Sequence, residues 1–331
     1  MPVNVRIHPE FPFAEANLEA TLVEIESFVA DPLMTGAERT EVLEFVRLTR
    51  QFAFLERLIQ GKIFFDLPVH MEIFAGEPMP PEAQAEAMAR EEREILGLGI
   101  EPGTGLAETL DNQGIKVFRR CHGPEPPTIV NGAFYFAGEA GPALLASAFE
   151  GCADVVFVLA HEYGHLVMDV NPYVSRFCRW RRGDLENENP SSLEERRADR
   201  FARALLVPDD LLKGVKDHRD IERFAESLAL PRAVVWRRMG DLGIPRPEAP
   251  PPLEPAEVEH EVDESRPTDL PERFVNLALA AYSTRILGKP ELTRFLRVPH
   301  KRLEQFLQWS RIPRQIGRED EVGGEEESEN E

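Results

Sequence analysis

With 331 residues, 42% of them hydrophobic, the chain has enough apolar material for two or three domains with real cores. Its formal net charge of -21 excludes a protein that dwells on bare nucleic acid, because phosphate neutralisation by Lys and Arg supplies most non-specific affinity. Cys121, Cys152 and Cys178 are odd in number and widely spaced, which excludes a disulfide framework. With no basic flank and apolar core at the N-terminus, and no uninterrupted apolar run of bilayer length, a cytoplasmic protein with no membrane span is expected.

Residues 1–79 form the first predicted region, with two helices in 14–66 split at Asp31-Pro32. Leu18, Leu22, Ile25 and Val29 mark one; Val42, Phe45, Val46, Leu48, Phe52, Leu55, Leu58 and Ile59 mark the other. Stripes this wide are packing faces, within the fold or between two copies, and they leave the oligomeric state open. After a proline-punctuated connection over 68–81, a helix is predicted for 80–98, ended by Gly97 and Gly99. A turn at 101–103 and a short helix at 106–110 follow, then short strands at 115–119 and 133–136. Cys121-His122 has no matching Cys/His pair and is assigned to a loop.

The next stretch is apolar on all sides from Val155 to Ala160 and continues as His161-Glu162-Tyr163-Gly164-His165. A single helix over 153–170, closed by Asn171-Pro172, stacks the two histidines one turn apart on one face. Two imidazoles so placed can hold two corners of a tetrahedral zinc, while Glu162, rotated off that face, is placed to act on water as a general base. The plain alternative is a core helix whose imidazoles bond to backbone. Against it, a buried His-Glu-His set demands partners, and a third acidic ligand follows downstream.

Residues 171–190 must pass close to such a metal, and Arg176, Phe177, Arg179, Trp180, Arg181 and Arg182 would give this connection a cationic, aromatic rim, either as a solvated loop or as a grip on acidic substrate residues. Tyr173 is the nearest downstream candidate for an oxyanion donor. In 191–208, Ala198, Phe201, Ala202, Leu205 and Leu206 make one helical stripe, and Glu194 and Glu195 flank its centre, each about 50° away. Geometry therefore points a carboxylate inward without saying which. A capping box from Ser191 to Glu194 would leave Glu195 free.

The His161–His165 motif, followed by Glu195, Ala198, Asp199, Phe201, Ala202, Leu205, Leu206 and Pro208, resembles the ImmA/IrrE family of zinc metallopeptidases. The resemblance spans roughly residues 80–245, and its second motif is the more specific part, since many unrelated zincins share the first. It implies Zn2+ held by His161, His165 and Glu195, Glu162 as catalytic acid/base, and Asp199 behind a ligand, orienting it. It also implies an α+β, mostly helical fold: a zincin-like metallopeptidase core with a small sheet at 80–210, followed by helix-turn-helix-like modules. Active members cleave helix-turn-helix transcriptional repressors, releasing stress-response or mobile-element genes, and a sheet edge commonly accepts the substrate as an added strand.

The first such module is 211–245, where only Arg232, Arg237 and Arg238 are basic in the second helix, which favours structural packing over DNA reading. A Pro/Glu-rich linker at 246–267 leads to a helical module at 268–312, and 313–331 is an acidic tail predicted to be disordered. The expected activity is zinc-dependent endopeptidase cleavage of a repressor. The rival reading is a regulatory protein that binds a repressor or DNA on a peptidase scaffold without cutting, and the intact Glu162 argues against it.

Overall fold

The wide apolar face at Val42, Phe45, Val46 and Phe52 belongs to a long helix, α1 (Gly36–Gln60), in the computed structural model. The structure describes residues 36–63, 65, 79–101, 103–121, 130–137, 140–148, 153–169, 176–181, 193–228, 230–246 and 270–310. The helix predicted around Leu18–Val29, His122, Tyr173, the Ser191 cap, the linker from 247 to 267 and the acidic tail lie outside these residues, whereas Cys121, assigned to a loop from the sequence, is the last residue of a strand, because its backbone pairs with Ala148. The chain divides into two compact units, Met1–Asp263 and Glu264–Glu331. No helix among the described residues is long and apolar enough to cross a membrane.

In the first unit, α2 (Pro81–Ile95) opens with proline at its first turn, where the missing N–H costs nothing, and α3 (Leu106–Asn112) follows. The buried Arg93 satisfies loop and helix-end carbonyls, donating to Gly99 O at 2.6 and 3.2 Å and also to Leu205 O and Glu101 O. The mixed sheet comprises β1 (Lys116–Cys121), β2 (Val130–Ala137), β3 (Gly141–Ala148) and β4 (Arg176–Arg181), in the order β1-β3-β2-β4. β3 is parallel to β1 and antiparallel to β2, and β4 is antiparallel to β2. α1 docks on the sheet through Phe45 and Phe52, both edge-on to Phe118 with centroids 5.7 and 6.2 Å away. Each such ring pair contributes about 0.5–1.5 kcal/mol beyond area burial. A fully buried ion pair, Lys116 Nζ to Glu56 Oε2 at 2.9 Å, sets the register of that docking. Losing one partner would strand a charge, at a cost of about 3–5 kcal/mol.

Two strands were not expected. β3 is Gly-Pro-Ala-Leu-Leu-Ala-Ser-Ala, poor in β-branched residues, and its position between two strands removes the alternation that marks a half-buried strand. β4 lies within the 171–190 segment read as a loop, and its identity as a strand comes from pairing with β2 rather than from any period in Arg-Phe-Cys-Arg-Trp-Arg.

Against the sheet lies α4 (Ala153–Met168), with Phe157, Val158, Leu159, Ala160, Tyr163 and Leu166 all buried, which is why its sequence is apolar on every side. It ends two residues earlier than 170, at Met168. α5 (Leu193–Leu206) crosses it, burying Ala198, Phe201, Ala202, Leu205 and Leu206 as the periodicity predicts. Gly164 lets the two helices approach: a Cβ there would sit 2.8 Å from the Phe201 ring. α6 (His218–Ser227), capped by Asp217 accepting from Asp220 N at 2.9 Å, and α7 (Arg232–Asp241) complete the unit. Ile221, Ala225, Val234, Val235 and Met239 share one apolar cluster with α2, the sheet, α4 and α5. Arg238 is buried in this packing, donating to Val207 O at 3.0 Å and Asp209 Oδ1 at 2.5 Å and pairing with Glu86; Arg232 pairs with Glu222.

The second unit holds α8 (Glu272–Ser283), α9 (Lys289–Leu296) and α10 (His300–Trp309), with a core of Phe274, Ala278, Tyr282, Leu292, Leu296, Leu303, Phe306 and Leu307. The molecule is therefore α+β and mostly helical, as the sequence predicts.

Candidate metal centre

α4 presents His161 and His165 on one face, with their Nε2 atoms 3.1 Å apart. From the first turn of α5, Glu195 reaches both: Oε2 lies 3.2 Å from His161 Nε2 and Oε1 lies 3.4 Å from His165 Nε2. Glu194, its neighbour, points outward and is exposed, so tertiary packing resolves which of the two carboxylates turns in. Ligand atoms of His161, His165 and Glu195 all lie within 4.8 Å of one another. Two donors about 2.0–2.1 Å from a tetrahedral ion sit about 3.3–3.4 Å apart, so this set fits a small divalent cation such as zinc. The chemistry of the donors agrees: two imidazole nitrogens and one carboxylate suit a borderline ion.

Each imidazole is held from behind. His161 Nδ1 meets Asp199 Oδ1 at 2.9 Å, and His165 Nδ1 meets Asp169 Oδ2 at 2.6 Å. Phe134 of β2 stacks on His165, its ring centroid 6.0 Å away and 23° from parallel. Asp199 lies where it can orient a ligand. Asp169 was missed, although the helix predicted over 153–170 puts it one turn beyond His165, which was a readable signal.

Glu162 is fully buried beside this cluster, and neither carboxylate oxygen has a hydrogen-bond partner among the described residues. Gly132 on β2 makes room for it, since a Cβ there would lie 2.4 Å from Glu162 Oε1 and 2.7 Å from Val158 Cγ1. Nothing in the sequence distinguishes this glycine from one in an ordinary strand. Tyr173 lies outside the described residues, so no oxyanion donor is identified among them.

Electrostatics follow from burial and these contacts. Burial pushes Glu162 up to about 7, against the pull of the two histidines. For His161 burial works downward, but the bonds to Asp199 and Glu195 outweigh it and raise it to about 10. His165 is raised to about 9 in the same way, by Asp169 and Glu195 acting against burial. Burial would raise Glu195, yet its bonds to both imidazoles hold it well below the usual carboxylate range. Three converging carboxylates thus favour positive charge between them, as protons on the imidazoles or as a metal cation.

The family pattern described as the IrrE N-terminal-like domain, peptidase family M78, matches residues 154–239. That range contains α4, both histidines, Glu162, Glu195 and nearly all of α7. No curated protein matches the chain.

Proposed function

We propose, from the match of residues 154–239 to the IrrE N-terminal-like domain and from the converging ligands, that the chain is a zinc-dependent endopeptidase of the ImmA/IrrE kind whose substrate is a helix-turn-helix transcriptional repressor. The observation that carries the peptidase reading is the juxtaposition of three converging ligand atoms with a buried carboxylate that has no hydrogen-bond partner among the described residues. A structural helix would not leave such a group unsatisfied, because each buried polar atom without a partner costs about 1–3 kcal/mol.

His161, His165 and Glu195 would hold the metal, which when bound supplies Lewis acidity toward water and a peptide carbonyl. Glu162 takes a proton from the attacking water and delivers it to the departing amine nitrogen. Its elevation to about 7 suits a group that must both accept and return a proton near neutrality. Asp199 and Asp169 keep the imidazole Nδ1 positions as donors, so that Nε2 faces the ion. The sheet beside α4 aligns the peptide main chain.

Two features support a repressor as substrate: the family's known targets, and the chain's net charge of -21, which attracts a basic DNA-binding protein. Direct DNA reading by α6 and α7 is disfavoured, since Arg238 is buried and committed to Glu86, Asp209 and Val207. The protein acts in the cytoplasm in this reading. The test is incubation of the purified, zinc-loaded chain with helix-turn-helix repressors encoded nearby. Fragments with the wild type, and intact repressor with a Glu162→Gln variant of full metal content, are expected. A stable complex with uncut repressor would favour the non-cleaving regulator instead.

A further inference from the structure

We propose that Asp169 and Arg197 are positioning residues of the metal centre: Asp169 fixes His165, and Arg197 fixes Asp169. The inference rests on the metal-site reading above and extends it to a pair of residues outside the ligand motif.

Asp169 stands immediately past the last residue of α4, where the helix dipole and the unpaired terminal carbonyls disfavour an anion. Its side chain is only 8% exposed, which penalises the charge a second time. Helix stability therefore does not account for an aspartate here. What offsets both costs is a pair of partners. His165 Nδ1 lies 2.6 Å from one oxygen, and the Arg197 guanidinium, arriving from α5, pairs with the other. Arg197 is itself anchored: Nη1 donates to Gln84 Oε1 at 3.1 Å, and Gln84 Nε2 donates to Met79 O at 2.8 Å.

A chain of contacts thus runs from His165 through Asp169 and Arg197 to the start of α2. It matches what Asp199 does for His161. Both imidazoles are gripped at Nδ1, and both Nε2 atoms are turned toward Glu195. A carboxylate in this position selects the Nδ1–H tautomer and makes Nε2 a stronger donor to a cation. Arg197 prevents that carboxylate from swinging to solvent once the imidazole has a metal to hold.

Metal affinity of the full-length chain, measured by competition with a chromophoric chelator, tests the proposal without requiring a substrate. Asp169→Ala is expected to weaken zinc binding about ten- to hundredfold. Arg197→Gln should weaken it less, with Arg197→Lys between it and the wild type. The visible absorption of the cobalt-loaded protein should shift in Asp169→Ala, a change that loss of a merely structural contact would not produce. If Asp169→Ala does not fold, the isosteric Asp169→Asn carries the same two readings. Zinc affinity within twofold of wild type and an unshifted cobalt spectrum would overturn the proposal while leaving the metal centre standing. A wild-type protein that takes up no metal would overturn both.

Discussion

Where α4 meets α5, the first unit buries His161, Glu162, His165 and Asp199 side by side, whereas the three helices of the second unit bury Phe274, Tyr282, Leu292, Leu296 and Phe306. Among the described residues, no charged side chain is fully buried in the second unit. Both contain short consecutive helices, α6 and α7 in the first unit and α8 to α10 in the second. The difference is in what burial accomplishes. In the second unit it removes apolar area from water, the ordinary driving force of folding. In the first it also desolvates ionisable groups, which is costly unless they hold one another or a cation. Polar burial concentrated at one place, with its partners supplied by different elements, is what separates a candidate site from a packing module.

The sharpest way to break that contrast is at the ligands. Glu195→Ala should abolish stoichiometric zinc uptake, measured by metal analysis after dialysis, while the second unit keeps its helical signal. Next comes a core truncation on the other side of the comparison. Phe306→Ala should destabilise the second unit by about 3–5 kcal/mol in chemical unfolding, leaving zinc affinity unchanged. A smaller but more localised effect is expected at the sheet. Gly132→Ala places a methyl group against Glu162 and Val158, so about 1–3 kcal/mol of overpacking should appear in stability, with Glu162 displaced. Repressor cleavage should fall in that variant although all three ligands remain.

The contrast also predicts the direction of the pH dependence of the metal-free protein. His161 and His165 are raised in the fold to about 10 and about 9. Groups raised on folding contribute stability below their unfolded value near 6.5, and that contribution is lost as pH rises through the folded values. Glu162, raised to about 7 by burial, works in the same direction, since ionising it in the fold is unfavourable. Glu195 is depressed, so its contribution persists above the unfolded carboxylate range and fades only in acid. The melting temperature of the metal-free first unit should therefore fall between about pH 6.5 and 10. Among the described residues the second unit has no buried imidazole, so its transition should lack that slope. Zinc should oppose the fall, because binding displaces the protons that the imidazoles hold. A metal-free transition whose temperature stays flat or rises across this range would contradict the assignment.

The module at 211–245, which holds α6 and α7, shows how a local pattern acquires its meaning from its neighbours. Its two helices and its poverty in basic residues are both legible in the sequence of 211–245. That Arg238 would be the buried clamp on α2 and the segment after α5 was not readable, because its partners Glu86 and Asp209 lie far away in sequence.

Local chemistry alone determined a good deal: α4 and its two stacked histidines, the apolar stripe of α5, the helix α2, and the two-helix spacing of α6 and α7. These follow from the 3.6-residue period and from proline and glycine punctuation, which act over a few residues. Only tertiary structure decided that Glu195 rather than Glu194 turns inward, that β3 and β4 are strands, that Gly132 makes room for Glu162, and that Arg197 pairs with Asp169. Each of these depends on a partner supplied by another element, and such a partner leaves no period in the chain that carries the residue.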